Sequence, residues 1–480
     1  MLTPEAAVDR LEELYAQAAR ALTEAVDRYL RDRVPPTAGE RAAFCYPLLR
    51  VTCHHVGSAT RNRRAFAKFQ HPGVYETTVT HPRHFRPYLL EQLRPLVEEY
   101  DAEIEVETST LEIPYPYVIE RIDEISRAGV SAAEMGIHFP KPELSLVGDE
   151  VADGQWQAGP GVVLPLALFD AIRVDYSLRR LVHYTGGDWR QAQKWILLTN
   201  YHRYVDEFVR WARARLAEDD TYLHLELPGG GRIDRDTSEE AAERIVASSP
   251  WHRFQMPAYH LVAAEGEGVT LINIGVGPSN AKNITDHLAV LRPDCWLMVG
   301  HCAGLRQSQQ IGDYVLAHAY LRQDGILDEL VPPEVPIPAL AEVQVALQEA
   351  AAAVTGEAAD SLKERLRTGT VVTNADRNWE LRYTQESRRI NLSRAVALDM
   401  ESGTIAANGY RLRVPYGTLL CVSDNPLHGE IKLPGAANAF YERAVAQHLL
   451  IGLAALDLLR GRQDALHSRK LRSFDEPPFR

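Results

Sequence analysis

At 480 residues, with 45% hydrophobic and 24% charged side chains and a net charge of −13, the chain has room for two or three globular domains. That acidic balance excludes a broad nucleic-acid surface, which needs clustered Lys and Arg to neutralise phosphates, but it still allows a local basic pocket. Five scattered cysteines without a CxxC pair (Cys45, Cys53, Cys295, Cys302, Cys421), no zinc-ligand spacing, no signal-peptide core and no apolar run near the roughly 20 residues of a membrane span together predict a soluble, cytoplasmic protein.

The spacing of Leu11, Leu14, Tyr15, Ala18 and Leu22 predicts an amphipathic helix over 3–33, with Thr3 as its cap and Pro4 in its first turn. Strands are expected at 46–52, 73–80 and 104–108, and a helix at 81–100. A basic section (Arg61, Arg63, Arg64, Lys68, His71, Arg83, His84, Arg86) reads either as a solvated face or as an anion site. Residues 1–170 therefore form one α+β domain without a catalytic motif, closed by a Gly- and Asp-rich stretch at 149–161. Helices over 164–184 and 189–216 make 171–222 a helical connection. The aromatic stripe of Tyr201, Tyr204, Phe208 and Trp211 belongs to a core or an oligomer interface.

From 223 onward strands and helices alternate, which points to a mainly parallel or mixed sheet covered by helices across 223–480. His224–Leu227, the LPGGGR loop and a helix over 238–248 give a strand–glycine–helix layout, read as either a phosphate cradle or a flexible connection. VTLINIG at 269–275 runs through GVGPSN into a helix over 280–291. This is no dinucleotide fingerprint, because Asn280 stands where the third glycine belongs. CWLMVG at 295–300 predicts a strand followed by a turn, where small residues admit a ligand and His301 and Arg306 are left to meet it. A strand is expected at 314–321, a helix at 339–366 and a strand at 370–373. The stretch 395–430 then reads as strand, helix and strand, before a long helix over 436–461 and an irregular tail.

Both strands of that stretch deliver acids at their carboxyl ends, Asp399-Met400-Glu401 and Ser423-Asp424-Asn425. Ligands of α/β sheets bind there, so Glu401 and Asp424 could act on one substrate. Alternatively, Glu401 caps the following helix and Asp424 caps a turn.

The ordered blocks IGVGPSNAKNITDHL, VGHCAGLR, IGDYVLAHAYL, TVVTNADRNW, ALDMES and VSDNPL resemble the nucleoside phosphorylase/hydrolase superfamily over nearly the whole chain. The resemblance is to its AMP-cleaving members, which carry an additional N-terminal domain. It implies a three-layer α/β/α sandwich around a mixed, barrel-like sheet, and hydrolysis of AMP to adenine and ribose 5-phosphate. It also implies a homo-hexamer, no cofactor for the chemistry, MgATP as an allosteric activator and phosphate as an inhibitor. By the same resemblance Asp424 protonates purine N7, Glu401 binds the ribose hydroxyls and Met400 lies under the sugar. The turns with Gly275, Gly277, His301, Gly304 and Arg306 surround the sugar and attacking group. Asp376 and Trp379 lie on the loop against the base, with Trp379 as the stacking residue. His301 replaces the serine of phosphorylases, and the residue that activates water has no clear match. PGGGR falls where phosphorylases bind phosphate. Arg306, Lys432 and the basic N-terminal section are the candidates for the 5′-phosphate.

Breaking a purine N-glycosidic bond requires a proton on the departing base and tolerance of positive charge near C1′. Asp424 can supply the first only if it holds a proton well above its ordinary pKa of about 4. Glu401 is expected to be ionised and to favour the cationic sugar. Two other readings stay open: a phosphorylase of unphosphorylated purine nucleosides, and a nucleotide sensor without turnover.

Overall fold

The computed structural model describes residues 2–56, 65–119, 128–156, 162–431, 436–466, 471–473 and 476–480. The chain divides into two units, Met1–Arg179 with Arg472–Arg480, and Arg180–Leu471.

In the first unit Thr3 accepts a hydrogen bond from the Ala6 amide (3.2 Å) and starts the helix Pro4–Asp32, whose apolar stripe of Ala7, Val8, Leu11 and Leu22 is buried. Strands β1 (Cys45–Cys53), β2 (Gly73–Thr78), β3 (Glu103–Glu112) and β4 (Leu164–Pro165) form a sheet in the order β3-β1-β2-β4. Arg50 on central β1 pairs with Glu76 on β2 (2.5 Å) and Glu107 on β3 (2.8 Å), so one guanidinium bridges three strands. Arg86 of the basic section pairs with Asp9 and Glu12, which fits a solvated ion-pair face. Arg61–Arg64 lie outside the described residues.

The tail departs from its expected place. The Ala67 amide donates to Pro478 O (2.7 Å), the Phe479 amide donates to Leu166 O (3.0 Å), and Phe479 is 1% exposed among Leu89, Leu93 and Tyr75. The last residues thus complete the core of the first unit instead of extending the second. A chain terminus carries no periodic signal that could reveal this.

The second unit holds ten strands: β5 (Trp195–Thr199), β6 (Tyr222–Leu227), β7 (Gly231–Asp234), β8 (Ala258–Ala263), β9 (Val269–Asn273), β10 (Cys295–Gly304), β11 (Tyr314–Gln323), β12 (Leu366–Asn374), β13 (Ala397–Asp399) and β14 (Tyr416–Asp424). Their order is β13-β12-β11-β14-β10-β5-β9-β8-β6-β7, with a further β13–β10 pairing. That pairing (Ala303↔Leu398, Gly304↔Ala397) closes β10, β14, β11, β12 and β13 into a five-stranded barrel-like ring. Helices Ala341–Thr355 and Ala436–Arg460 pack together on one side, and Pro278–Leu288 and Ser402–Leu412 on the other. The result is the expected three-layer sandwich with a mixed sheet.

Four local readings change. Trp195–Thr199 is a strand buried at every position, with parallel partners on both sides (β9 and β10), so the unit begins well before 223. A fully buried run has no alternation to distinguish it from a buried helix. His301–Gly304 continues β10 rather than forming a turn, because β13 gives it a partner. The PGGG segment is the turn of the β6–β7 hairpin (Leu227↔Gly231), with Gly229 and Gly230 at positive φ (86° and 82°), so the phosphate-cradle reading is withdrawn. The helix expected over 339–366 breaks at Gly356 (φ 69°) into Ala341–Thr355 and Ala359–Arg365.

Phe479→Ala should destabilise the first unit by about 3–5 kcal/mol, as for other buried phenylalanines. Thermal unfolding followed by circular dichroism tests this. An unchanged profile would place the tail outside the core.

Candidate active site

β13 is three residues long, and Glu401 follows it in the N-cap position of the helix Ser402–Leu412 (φ −132°, ψ −35°). Its side chain makes no capping bond. Asp399 does that work: its Oδ2 accepts from the Ser402 amide (2.8 Å) and the Ser402 hydroxyl, and its Oδ1 accepts from the Thr373 hydroxyl (2.7 Å). Glu401 is thereby released to turn elsewhere. Its Oε1 accepts from the Gly277 amide (2.6 Å) and its Oε2 from the Asn200 side-chain amide (2.9 Å).

Those two donors explain the glycine turn after β9. Gly275 and Gly277 both have positive φ (69° and 114°), and Gly277 stands immediately before the helix Pro278–Leu288. This conformation aims the Gly277 N–H, at the positive end of the helix, at a carboxylate. Asn200 directly follows β5, so Glu401 joins the ends of β5, β9 and β13.

Glu401 is fully buried, and burial, followed by repulsion from Asp399, pushes its pKa up to about 8 against the opposing bonds from Gly277 and Asn200. Burial also pushes Asp399 up, opposed by its bonds to Ser402 and Thr373. The two acids share one proton near neutral pH. Asp399 receives three donors and Glu401 two, so the proton belongs on Glu401. This upward shift runs against the ionised Glu401 expected from sequence. Composition gives no sign of this desolvation.

Asp424 is the last residue of β14. It lies level with Ala303 across β10, while Leu398 of β13 flanks Ala303 on the other side. The register thus sets both acids around the end of β10. Asp424 is partly buried, and its Oδ1 accepts from the Ser423 hydroxyl (2.6 Å).

His301 in β10 is buried, and its Nε2 lies 3.4 Å from the Tyr204 hydroxyl. Tyr204 Oη is 2.6 Å from His448 Nδ1, and His448 Nε2 is 3.0 Å from Leu419 O. Burial pushes the His448 pKa down to about 3, so this ring is neutral. A carbonyl only accepts, so His448 carries its hydrogen on Nε2 and accepts the Tyr204 hydroxyl at Nδ1. Tyr204 oxygen then accepts from His301 Nε2–H. Tyr201 lies edge-on against the His301 ring at 4.7 Å.

The remaining expected site residues separate. Gly304 pairs with Ala397, and a side chain there would meet Val422 at 3.0 Å. Met400 packs against an apolar cluster in which Trp379, 2% exposed, lies with Leu305, Val372, Ile390 and Leu398. Trp379 is therefore a core residue with no face open to a base, which corrects its stacking role. Asp376 accepts from the Asn378 amide (2.9 Å) and pairs with Arg382 (2.5 Å), so it organises its own loop. Arg306 lines a different cavity, with Lys363 and Arg367. Lys432 lies outside the described residues. Asn200, Asp399, Tyr204 and His448 were not singled out as site residues from sequence. The Tyr204 signal was its place in the aromatic stripe, and Asp399 stood in the acidic triplet. Among the described residues, no group of three His, Cys, Asp or Glu side chains is placed to hold a metal ion.

A mixed sandwich with acids at the ends of its barrel strands is the architecture of the phosphorylase superfamily, whose family model matches residues 238–456. A second family, described as the bacterial AMP nucleoside phosphorylase N-terminus, matches residues 6–163. AMP nucleosidase of Escherichia coli K12 is 55% identical, covering 100% of this chain and 99% of that protein. A guanosine phosphorylase of Halorubrum lacusprofundi is 24% identical over 48% of this chain and 92% of its own length. A crystal structure of AMP nucleosidase from Bacteroides thetaiotaomicron is 27% identical, covers 60% of this chain and 98% of its own, and superposes with a TM-score of 0.43. The chain belongs to the AMP nucleosidase family.

The raised Glu401 pKa has a consequence for stability. An unfolded glutamate loses its proton near pH 4.3, whereas the folded one keeps it to about 8. The native state binds the extra proton across that window, so Glu401 reduces stability as pH rises through it. Glu401→Gln removes this dependence. The melting temperature of the variant relative to wild type should therefore rise between pH 5 and pH 8, as scanning calorimetry can show. A constant difference would mean that Glu401 is ionised throughout.

Proposed function

We propose that this enzyme hydrolyses the N-glycosidic bond of AMP, giving adenine and ribose 5-phosphate. The observation that carries the reading is the pair of acids held around the end of β10, Glu401 and Asp424, in a chain of the AMP nucleosidase family.

The roles follow from the chemistry. Asp424 delivers a proton to N7 as the C1′–N9 bond breaks, so adenine departs neutral. Glu401 hydrogen-bonds the ribose hydroxyls, using its proton in the ground state. As positive charge grows on the sugar, the carboxyl oxygen of Glu401 that faces it lowers the barrier electrostatically while the proton stays on the residue. His301 takes a proton from the attacking water through Nδ1. The Tyr204–His448 chain holds its other hydrogen in place, a positioning role like that of groups that orient a catalytic histidine. Water supplies the hydroxyl at C1′, and its proton replaces the one given to the base.

A homo-hexamer, activation by MgATP, inhibition by phosphate and a cytoplasmic location are proposed on the resemblance to the superfamily's AMP-cleaving members. The free, buried cysteines among the described residues fit a reducing compartment. Among the described residues no helix is long and apolar enough to cross a membrane.

Incubation with AMP should yield ribose 5-phosphate whether or not phosphate is present. Ribose 1-phosphate from adenosine would instead identify a phosphorylase, and no cleavage a sensor. Asp424→Asn should bind AMP nearly normally while kcat falls by about 10²–10⁴-fold. A near-normal kcat would remove Asp424 from the mechanism. Tyr204→Phe should lower kcat and alter the acidic limb of its pH profile while KM holds, and an unchanged profile would remove the relay from the account.

A further inference from the structure

Asn200 is hydrogen-bonded through one end of its amide. Its Nδ2 donates to Glu401 Oε2 (2.9 Å), while its Oδ1 is buried and has no hydrogen-bond partner among the described residues. A buried acceptor left unpaired costs about 1–3 kcal/mol. An apolar side chain of similar size would fill the same space without that cost, but it could not donate to Glu401. Natural sequences break local rules of this kind at functional sites, so the Nδ2 bond is what Asn200 is there to supply.

The strands make room for this amide. β5 and β10 run parallel through the pair Leu198 and Met298, so Asn200, two residues on, stands level with Gly300. A Cβ on Gly300 would meet Asn200 Oδ1 at 3.1 Å and Met298 Cε at 2.7 Å. The missing side chain at 300 thus seats the amide, with its NH2 end turned to Glu401. At the other carboxyl oxygen, Oε1, the Gly277 N–H donates (2.6 Å). One donor would let the carboxyl turn about its last bond. Two donors, mounted after β5 and β9, fix its plane.

We propose that Asn200 is a positioning residue that fixes the Glu401 carboxyl against the sugar and thereby sets selectivity for ribose over deoxyribose nucleotides. This role rests on AMP cleavage and on Glu401 meeting the ribose hydroxyls. A carboxyl held in one plane is matched to two neighbouring hydroxyls. When one hydroxyl is missing, a fixed polar group stays unpaired in a water-poor site, which penalises the deoxy analogue. A carboxyl free to turn re-pairs with the hydroxyl that remains, and the penalty shrinks. Loss of Asn200 therefore costs the ribonucleotide more than its deoxy analogues.

Steady-state hydrolysis of AMP, 2′-deoxy-AMP and 3′-deoxy-AMP by the full-length protein tests this. Wild type should favour AMP by about tenfold or more in kcat/KM over at least one deoxy analogue. Asn200→Leu should lower kcat/KM for AMP by about tenfold and narrow that preference to about threefold or less. Gly300→Ala displaces the amide without removing it and should narrow the preference in the same direction. Narrowing in either folded variant supports the role, and the analogue on which it occurs identifies the hydroxyl that Glu401 reads. Equal losses on AMP and on both deoxy analogues in the two variants would leave Asn200 purely structural and overturn the proposal. A wild type that cleaves AMP without discriminating against either analogue would also overturn it. No cleavage of any of the three by wild type would instead overturn the AMP-cleaving reading itself.

Discussion

The catalytic unit is organised around one electrostatic constraint, two carboxylates buried beside each other at the end of β13. Both are fully or almost fully buried, and two negative charges at such a spacing in a dry site cannot both persist. The fold answers with five hydrogen-bond donors and one retained proton. These donors belong to four residues, each with a different structural task. Ser402 opens a helix, Thr373 ends β12, Gly277 opens another helix and Asn200 follows β5. The acid pair thus fixes how four elements meet, and the same donors tune its proton affinity.

β10 converts that arrangement into a site. Its ten residues are all buried, and it pairs in turn with β5, β14 and β13. Its last residues are small, so three strand ends approach one point: Gly304 lies against Val422 with no space for a larger side chain. His301 sits within this strand, and its ring hydrogen is fixed through Tyr204 and His448. Asp424, His301 and Glu401 are all mounted on strands or their immediate ends, which limits their motion relative to one another.

Much of this was legible in the sequence. β9, β12, β13 and β14 fall within a few residues of their expected positions, because apolar runs bounded by Gly and Asn leave little choice. The choice of Glu401 and Asp424 came from their place after such runs. What escaped was non-local. Trp195–Thr199 looked helical because a strand buried on both faces loses its alternation. Capping of Ser402–Leu412 by Glu401 is one of two readings the sequence allows, and the residue two earlier performs it. Trp379 is the stacking residue by resemblance, yet it is buried in an apolar cluster with Ile390 and Leu398. Arg306 is expected beside the sugar by resemblance, and it lines a cavity with Lys363 and Arg367. No pattern along the chain encodes which buried acid keeps the proton, since that depends on donors from Asn200, Gly277 and Thr373, far away in the sequence, as well as from Ser402.

The protonation state of Glu401 is the point on which the account turns, and infrared difference spectra of wild type against Glu401→Gln read it directly. The account predicts a protonated-carboxyl C=O band at pH 7 that disappears as pH rises through about 8. A Glu401 already ionised at pH 7, with no such band, would contradict it.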